Sequence, residues 1–191
     1  MKKKFAAMFM AAAMVFTMAA CGQKADTPST PDADGSGDQS GAEVQTFVLG
    51  SCGPLTGSAA IYGQAVANGA KIAVDEINAK GGMQFTLEAQ DDEGDGEKSI
   101  NAYNKLLDNG MQVLVGTVTS GACIAVSAVA NEDRLLMVTP SASSTDVLAG
   151  KDNVFQVCFT DPNQGVNAAK FLAQKYADEK FVLFYNSGDA Y

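Results

Sequence analysis

From Thr46 onward, short β-prone runs alternate with segments whose apolar residues recur at helical spacing, and this alternation constrains the fold more than any other feature. Thr46-Phe47-Val48-Leu49-Gly50 is rich in β-formers. Ile61 to Ala79 follows, with Val66, Ala70, Ala73 and Ile77 as one helical stripe before the stop signal Gly81-Gly82. The order repeats with Phe85 to Ala89, a helix near Glu97 to Asn109 closed by Gly110, and the run Gln112 to Gly116. A third helix is expected over Ala122 to Asn131, with Ala122, Val126 and Val129 on one stripe, before the strand Leu135 to Thr139. After Pro140 come a Ser-rich turn, a short helical piece around Thr145 to Leu148 and a strand near Val154 to Phe159. Asp161-Pro162-Asn163 starts a helix with Val166, Ala169, Ala173 and Tyr176 on one face, and Phe181 to Tyr185 predicts a further strand. Strands joined by helices imply right-handed crossovers, hence an α/β fold with a doubly wound parallel sheet covered on both faces.

The chain begins with Met1-Lys2-Lys3-Lys4, then runs from Phe5 to Ala20 without a charge and ends that run in Ala19 and Ala20. This is the layout of a secretory signal, and the run is shorter than the ~20 residues a membrane-spanning helix needs. Met18-Ala19-Ala20-Cys21-Gly22 resembles the lipobox of bacterial lipoproteins. The resemblance implies cleavage after residue 20 and lipid on Cys21, whose two acyl chains would anchor the protein to a membrane. Residues 21–45 hold almost no large apolar side chain and are expected to form a flexible acidic Gly/Ser/Pro spacer.

Removing three leader lysines and no acids takes the formal charge from −9 to −12. So acidic a chain is a poor match for nucleic acid. About 146 residues remain after leader and spacer, enough for a domain with a real core. The sequence contains no histidine, which excludes Ser-His-Asp and Cys-His catalysis and histidine-based metal sites.

Open α/β sheets bind ligands at the carboxyl ends of their strands. Three segments fall there: Gly53-Pro54-Leu55-Thr56-Gly57 through Ile61-Tyr62-Gly63, then Gly116 to Cys123, and Pro140-Ser141-Ala142-Ser143-Ser144. Together with Asp75 to Gly82 and Asp161-Pro162-Asn163-Gln164-Gly165, they resemble the type I periplasmic binding proteins of the leucine/isoleucine/valine class, the solute-binding subunits of ABC importers. The resemblance runs from about Thr46 to Tyr191. It implies a ligand-binding lobe over residues 46–160, with residues 161–191 as the start of a second, similar lobe in a fragment of the whole. It also implies a receptor without enzymatic activity or cofactor, acting as a monomer outside the cytoplasmic membrane. Its partners would be a branched-chain amino acid and the permease subunits in the membrane.

By position, the resemblance assigns the ligand carboxylate to Ser120 and Gly121 at a helix start, where free N–H groups and the helix dipole attract an anion. The Ser141 carbonyl would meet the ligand ammonium, and the Ser143 hydroxyl and amide would meet the carboxylate. Tyr62 would line the side-chain pocket and Tyr191 would face it from the second lobe. The acidic partner of the ammonium is expected beyond Tyr191. Two departures stand out. A disulfide of some relatives falls at positions matching Gly94 and Thr119, neither of which is cysteine, and Gln156 stands where many relatives carry arginine.

Several of these residues have simpler readings. Ser120, Ser143 and Ser144 suit helix caps, and Tyr62 and Tyr191 suit ordinary boundary aromatics. Asp91, Glu93, Asp95 and Gly96 imitate a calcium loop, but Ala102 occupies the closing glutamate position, so a solvated acidic turn is expected. The loop Gly53 to Gly57 lacks the P-loop ending, which argues against phosphate. Cys52 and Cys123 would approach each other if their strands are neighbours, leaving disulfide and free thiols both open, with Cys158 left over. Two rival functions remain: the same fold binding a short amide, urea or an aromatic acid, and a surface hydrolase using Ser120 or Cys123 with a lysine base.

Overall fold

The structure, a computed structural model, describes residues 44–189. The expected leader, Cys21, nearly all of the spacer, and Tyr191 lie outside the described residues.

The alternation yields β1 (Thr46–Gly53), α1 (Ala60–Asn78), β2 (Gln84–Asp91), α2 (Gly96–Asp108), β3 (Val113–Gly116), α3 (Ser120–Glu132), β4 (Leu136–Thr139), a 3₁₀ turn (Thr145–Val147), β5 (Val154–Gln156) and α4 (Asp161–Lys175). The five strands form one parallel sheet in the order β2-β1-β3-β4-β5. The chain steps outward from β1 to β2, then returns across β1 to β3 and continues the other way. Right-handed crossovers therefore place α1 on one face and α2 and α3 on the other. Helices α2 and α3 indeed pack against each other, while α1 rests on β1 and β2. This is the doubly wound α/β sheet that the alternation predicts.

The core lies under α2 and α3. Leu114, Met137 and Val154 occupy adjacent register positions of β3, β4 and β5 and are buried. Ala122, Cys123, Val126 and Ala130 of α3 cover them, with Tyr103 and Leu106 of α2 beside them. Tyr103 places its hydroxyl 2.9 Å from Asp133, which satisfies the one polar atom of that ring. Helix α2 is capped by Asp95, whose carboxylate accepts from the Glu97 and Lys98 amides.

Two expectations change. Helix α1 buries Gly63 and Val74, with Val66 and Ala70 half-buried, while Ala73 and Ile77 are exposed. The helix is rotated because Gly63 presses against the loop after β1: a Cβ there would lie 2.0 Å from the Pro54 carbonyl oxygen. Phe181–Tyr185 is not a strand, and α4 buries none of its residues. A strand exists only as a paired ladder, and no described strand lies beside this run. Among the described residues, no helix is long and apolar enough to cross a membrane.

Gly63→Ala should lower unfolding stability by about 1–3 kcal/mol in urea titrations, because the backbone it meets cannot move aside as a side chain would. Unaltered stability would show that α1 slides freely over the loop.

Candidate ligand-binding site

The winding reverses between β1 and β3, so the loops leaving these strands splay apart at the carboxyl rim and open a crevice. Gly116, the last residue of β3, adopts φ 140° and sits so close to β1 that a Cβ would lie 2.2 Å from the Cys52 carbonyl oxygen. Only glycine fits that approach. From there Thr117–Thr119 leads into α3, whose first helical residue is Ser120.

Ser120 joins two loops. Its Oγ accepts from the amides of Ser143 at 3.2 Å and Ser144 at 3.3 Å. It is 3% exposed. Thr139, at the end of β4, donates its hydroxyl to the Thr117 carbonyl at 2.7 Å and accepts from the Ala142 amide at 3.1 Å. The α3 start and the Pro140–Ser144 loop are thus cross-braced by two buried hydroxyls. Ser144 also caps the 3₁₀ turn through the Asp146 amide, so the capping role expected for it is present. Ser120 instead braces a loop 23 residues away.

Several polar atoms of this region have no protein partner. The hydroxyls of Ser143, Thr117 and Thr119 and Oδ1 of Asp161 are buried without a hydrogen bond among the described residues. Such groups are destabilising unless water or a ligand satisfies them. Asp161 opens α4 and donates its amide to the Ser143 carbonyl at 3.0 Å, which ties the start of α4 to the β4 loop. Sequence reasoning missed Asp161 because Asp-Pro-Asn reads as an ordinary helix start. Its pairing with Ser143 is a tertiary contact.

Of the sequence-assigned residues, Ser120, Gly121, Ser141 and Ser143 come together on the α3 start and the β4 loop. Gly121 is exposed and Ser143 fully buried. Tyr62 stands apart on the first turn of α1, 63% exposed. The Ser143 amide faces the Ser120 hydroxyl, so in this state the two groups assigned to a carboxylate bond each other.

The loop that leads into α1 and Tyr62 is fixed from β2. Asp91 accepts from the Leu55 amide at 2.8 Å, the Thr56 amide at 3.3 Å, the Glu93 amide at 3.0 Å and the Thr56 hydroxyl. Burial opposes its charge, but the bonds from Thr56, Glu93 and Leu55 hold its carboxyl below the ordinary value. Asp92 is fully buried, accepting from the Gly94 amide at 2.8 Å and the Cys52 thiol at 3.5 Å; burial pushes its carboxyl up. The acidic turn thus works as an acceptor of backbone amides. Cys52, Cys123 and Cys158 are free thiols. Burial pushes the Cys123 thiol up, opposite to what an activated nucleophile needs.

A crevice at the switch point of a doubly wound sheet, with backbone amides and hydroxyls at its rim, is where open α/β sheets bind their ligands. The family model described as "Periplasmic binding protein" matches residues 46–191, and the chain belongs to that family. It is 41% identical over 146 residues to the Leu/Ile/Val-binding protein BraC3 of Rhizobium johnstonii, covering 74% of this chain and 40% of that protein. Leu/Ile/Val-binding protein homolog 3 of Brucella melitensis is 34% identical over 77% of this chain and 41% of its own length. Among solved structures, the branched-chain amino acid transporter substrate-binding protein LivJ of Streptococcus pneumoniae, in complex with isoleucine, superposes with a TM-score of 0.65 at 31% identity, covering 69% of this chain and 39% of that one. A Rhodopseudomonas palustris solute-binding protein in complex with 3,4-dihydroxybenzoic acid shares the fold at 17% identity and a TM-score of 0.63. The chain spans about 40% of the length of the curated relatives it matches.

The fold is that of a type I periplasmic binding protein lobe. Gly94 and Thr119, where the resemblance puts a disulfide in some relatives, do touch: a Cβ on Gly94 would lie 3.5 Å from Thr119 Cγ2.

Asp91→Asn tests the loop anchor. A depressed folded pKa gives stability that is present above the ordinary carboxylate value near ~3.9 and is lost as pH falls through the folded value. The substitution should lower stability at neutral pH and flatten the acid limb of stability against pH below about 4. An acid limb as steep as that of the unsubstituted protein would remove Asp91 from this role.

Proposed function

We propose that this chain carries the first ligand-binding lobe, residues 46–160, of an extracytoplasmic solute receptor for branched-chain or other aliphatic amino acids. Residues 161–191 begin the second lobe. In this reading the two lobes close by hinge motion on the ligand, and the closed form docks on the permease of an ABC importer. The protein is not an enzyme, acts as a monomer and needs no cofactor. Lipid on Cys21 holds it to the outer face of the cytoplasmic membrane, and the 21–45 spacer lets it reach the permease.

The observation that carries the reading is the set of unpaired buried groups at the crevice: the Ser143 hydroxyl and Asp161 Oδ1, beside the exposed Gly121 at the α3 start. A zwitterion supplies both halves that these groups lack. Its carboxylate suits the amide-rich start of α3, and its ammonium suits the Asp161 carboxylate with the Ser141 carbonyl. Asp161 is therefore an acidic partner within this chain, in addition to any expected beyond Tyr191. The rim segments 54–59, 92–95, 117–119, 140–144 and 157–160 carry Asp92, Glu93 and Asp95, with Asp91 and Asp161 at their borders, and no lysine or arginine. That balance favours a zwitterion over a simple anion such as an aromatic acid. Tyr62, exposed at the rim, is suited to cover the aliphatic side chain, with Tyr191 facing it from the second lobe.

Calorimetry of the protein expressed from its intact gene, against the twenty amino acids, should detect leucine, isoleucine or valine. Asp161→Asn should weaken leucine by about 1–3 kcal/mol, the scale of a charged hydrogen bond. Silence across the panel with binding of a short amide, urea or hydroxybenzoate would replace the amino acid reading.

Cys21→Ser should abolish incorporation of labelled fatty acid and move the protein from the membrane fraction to the soluble fraction. Retention in the membrane fraction would refute anchoring through Cys21.

A further inference from the structure

The Pro140–Ser144 loop is held from two sides by different chemistry. On its N–H side, Thr139 Oγ1 accepts from the Ala142 amide at 3.1 Å and Ser120 Oγ accepts from the Ser143 and Ser144 amides. On its C=O side the donors come from β5 and the segment after it. Gln156 Nε2 donates to the Ala142 carbonyl and lies 3.5 Å from the Ser144 carbonyl. The Cys158 thiol reaches the Ala142 carbonyl at 3.2 Å, and the Asp161 amide holds Ser143 O. The Ser141 carbonyl receives none of these bonds.

We infer that Gln156 is the positioning residue of this loop: its amide fixes the Ala142 carbonyl and so aims the flanking Ser141 carbonyl and Ser143 hydroxyl into the crevice. The assignment rests on the proposed ligand role of that loop. Three features support it. Ala142 is the central residue of the loop and almost fully buried, so its carbonyl requires a donor from protein rather than from water. Gln156 is the last residue of β5, paired with Thr139, the last residue of β4, so clamp and loop share one rigid register. A thiol is a weak donor and cannot replace the amide at that carbonyl. The N–H anchors on Thr139 and Ser120 hold only the amide side of the loop. The Gln156 bond holds its carbonyl side.

A neutral amide serves this purpose without bringing a cation to the loop. An arginine at position 156 carries N–H donors for the same carbonyl together with a charge. The glutamine keeps the donor and adds no charge.

The test compares Gln156→Met, which keeps length without a donor, with Gln156→Arg, which restores donors, in the protein expressed from its intact gene. Amide hydrogen exchange is read without ligand, and leucine affinity is read by calorimetry. The Met variant should speed exchange at Ala142, Ser143 and Ser144 at least tenfold while amides of β3 and α2 keep their protection. It should also weaken leucine at least tenfold, and the Arg variant should recover the loop protection. Unchanged exchange in the loop would overturn the inference, as would protection lost across the whole sheet, which marks a general structural role. Should the unsubstituted protein bind no amino acid while loop exchange responds as stated, the clamp stands and the proposed ligand class falls.

Discussion

A parallel sheet collects every carboxyl end on one rim, and the backbone groups leaving that rim have no ladder to satisfy them. Each loop must then draw its partners from side chains, and here it does. Asp91 takes three amides and a hydroxyl from the loops around it, Ser120 takes two amides, Thr139 braces the β3 and β4 loops, and Gln156 supplies the missing donor. These residues are anchors first. The crevice exists because the anchors hold the loops apart at the point where winding reverses, and what remains unpaired between them is what a ligand can use.

The same constraint explains the local chemistry. Parallel strands β1 and β3 approach so closely at the rim that Gly116 cannot carry a side chain, and this brings the start of α3 to the crevice floor. Cys52 and Cys123, which flank that junction, are sealed beneath it with thiols kept protonated by burial. They serve as small apolar packing groups. The acidic turn Asp91 to Asp95 offers its carboxylates to amides of the neighbouring loop and of α2, so a motif that resembles a cation site is a set of acceptors for backbone N–H groups.

The sequence made the architecture legible because hydrophobic periodicity and strand-helix alternation are local signals. All five strands of the sheet and all four helices form close to where periodicity puts them. The rotation of α1 was not legible, since it follows from a glycine meeting the Pro54 carbonyl across nine residues, and hydropathy gives Gly63 no weight. Phe181–Tyr185 has strand composition without a strand, because composition encodes preference and pairing needs a neighbour. Within the site, Ser120 and Ser143 were found by resemblance, but their bond to each other was not, nor the placement of Asp161 against the same loop. Both are long-range contacts between polar residues whose local sequence already suits a cap or a helix start.

The faces of the sheet carry a final consequence. Leu114, Met137 and Val154 are sealed by α3, yet on the opposite face Val113, Val115 and Val138 are only half-buried and Leu136 and Phe155 are exposed. Parallel sheets are stable when both faces are covered, and α1 covers only β1 and β2. The described residues therefore build a crevice that is well braced at its rim on a sheet whose far half lacks apolar cover. Rim order and sheet stability have separate origins here: the first comes from side chains that bind backbone groups, the second from packing that β3 to β5 receive on one face only. A substitution at Ser120, Thr139 or Gln156 should accordingly act first on loop geometry, because these side chains bond backbone groups of the loops instead of filling the apolar layer that holds the sheet together.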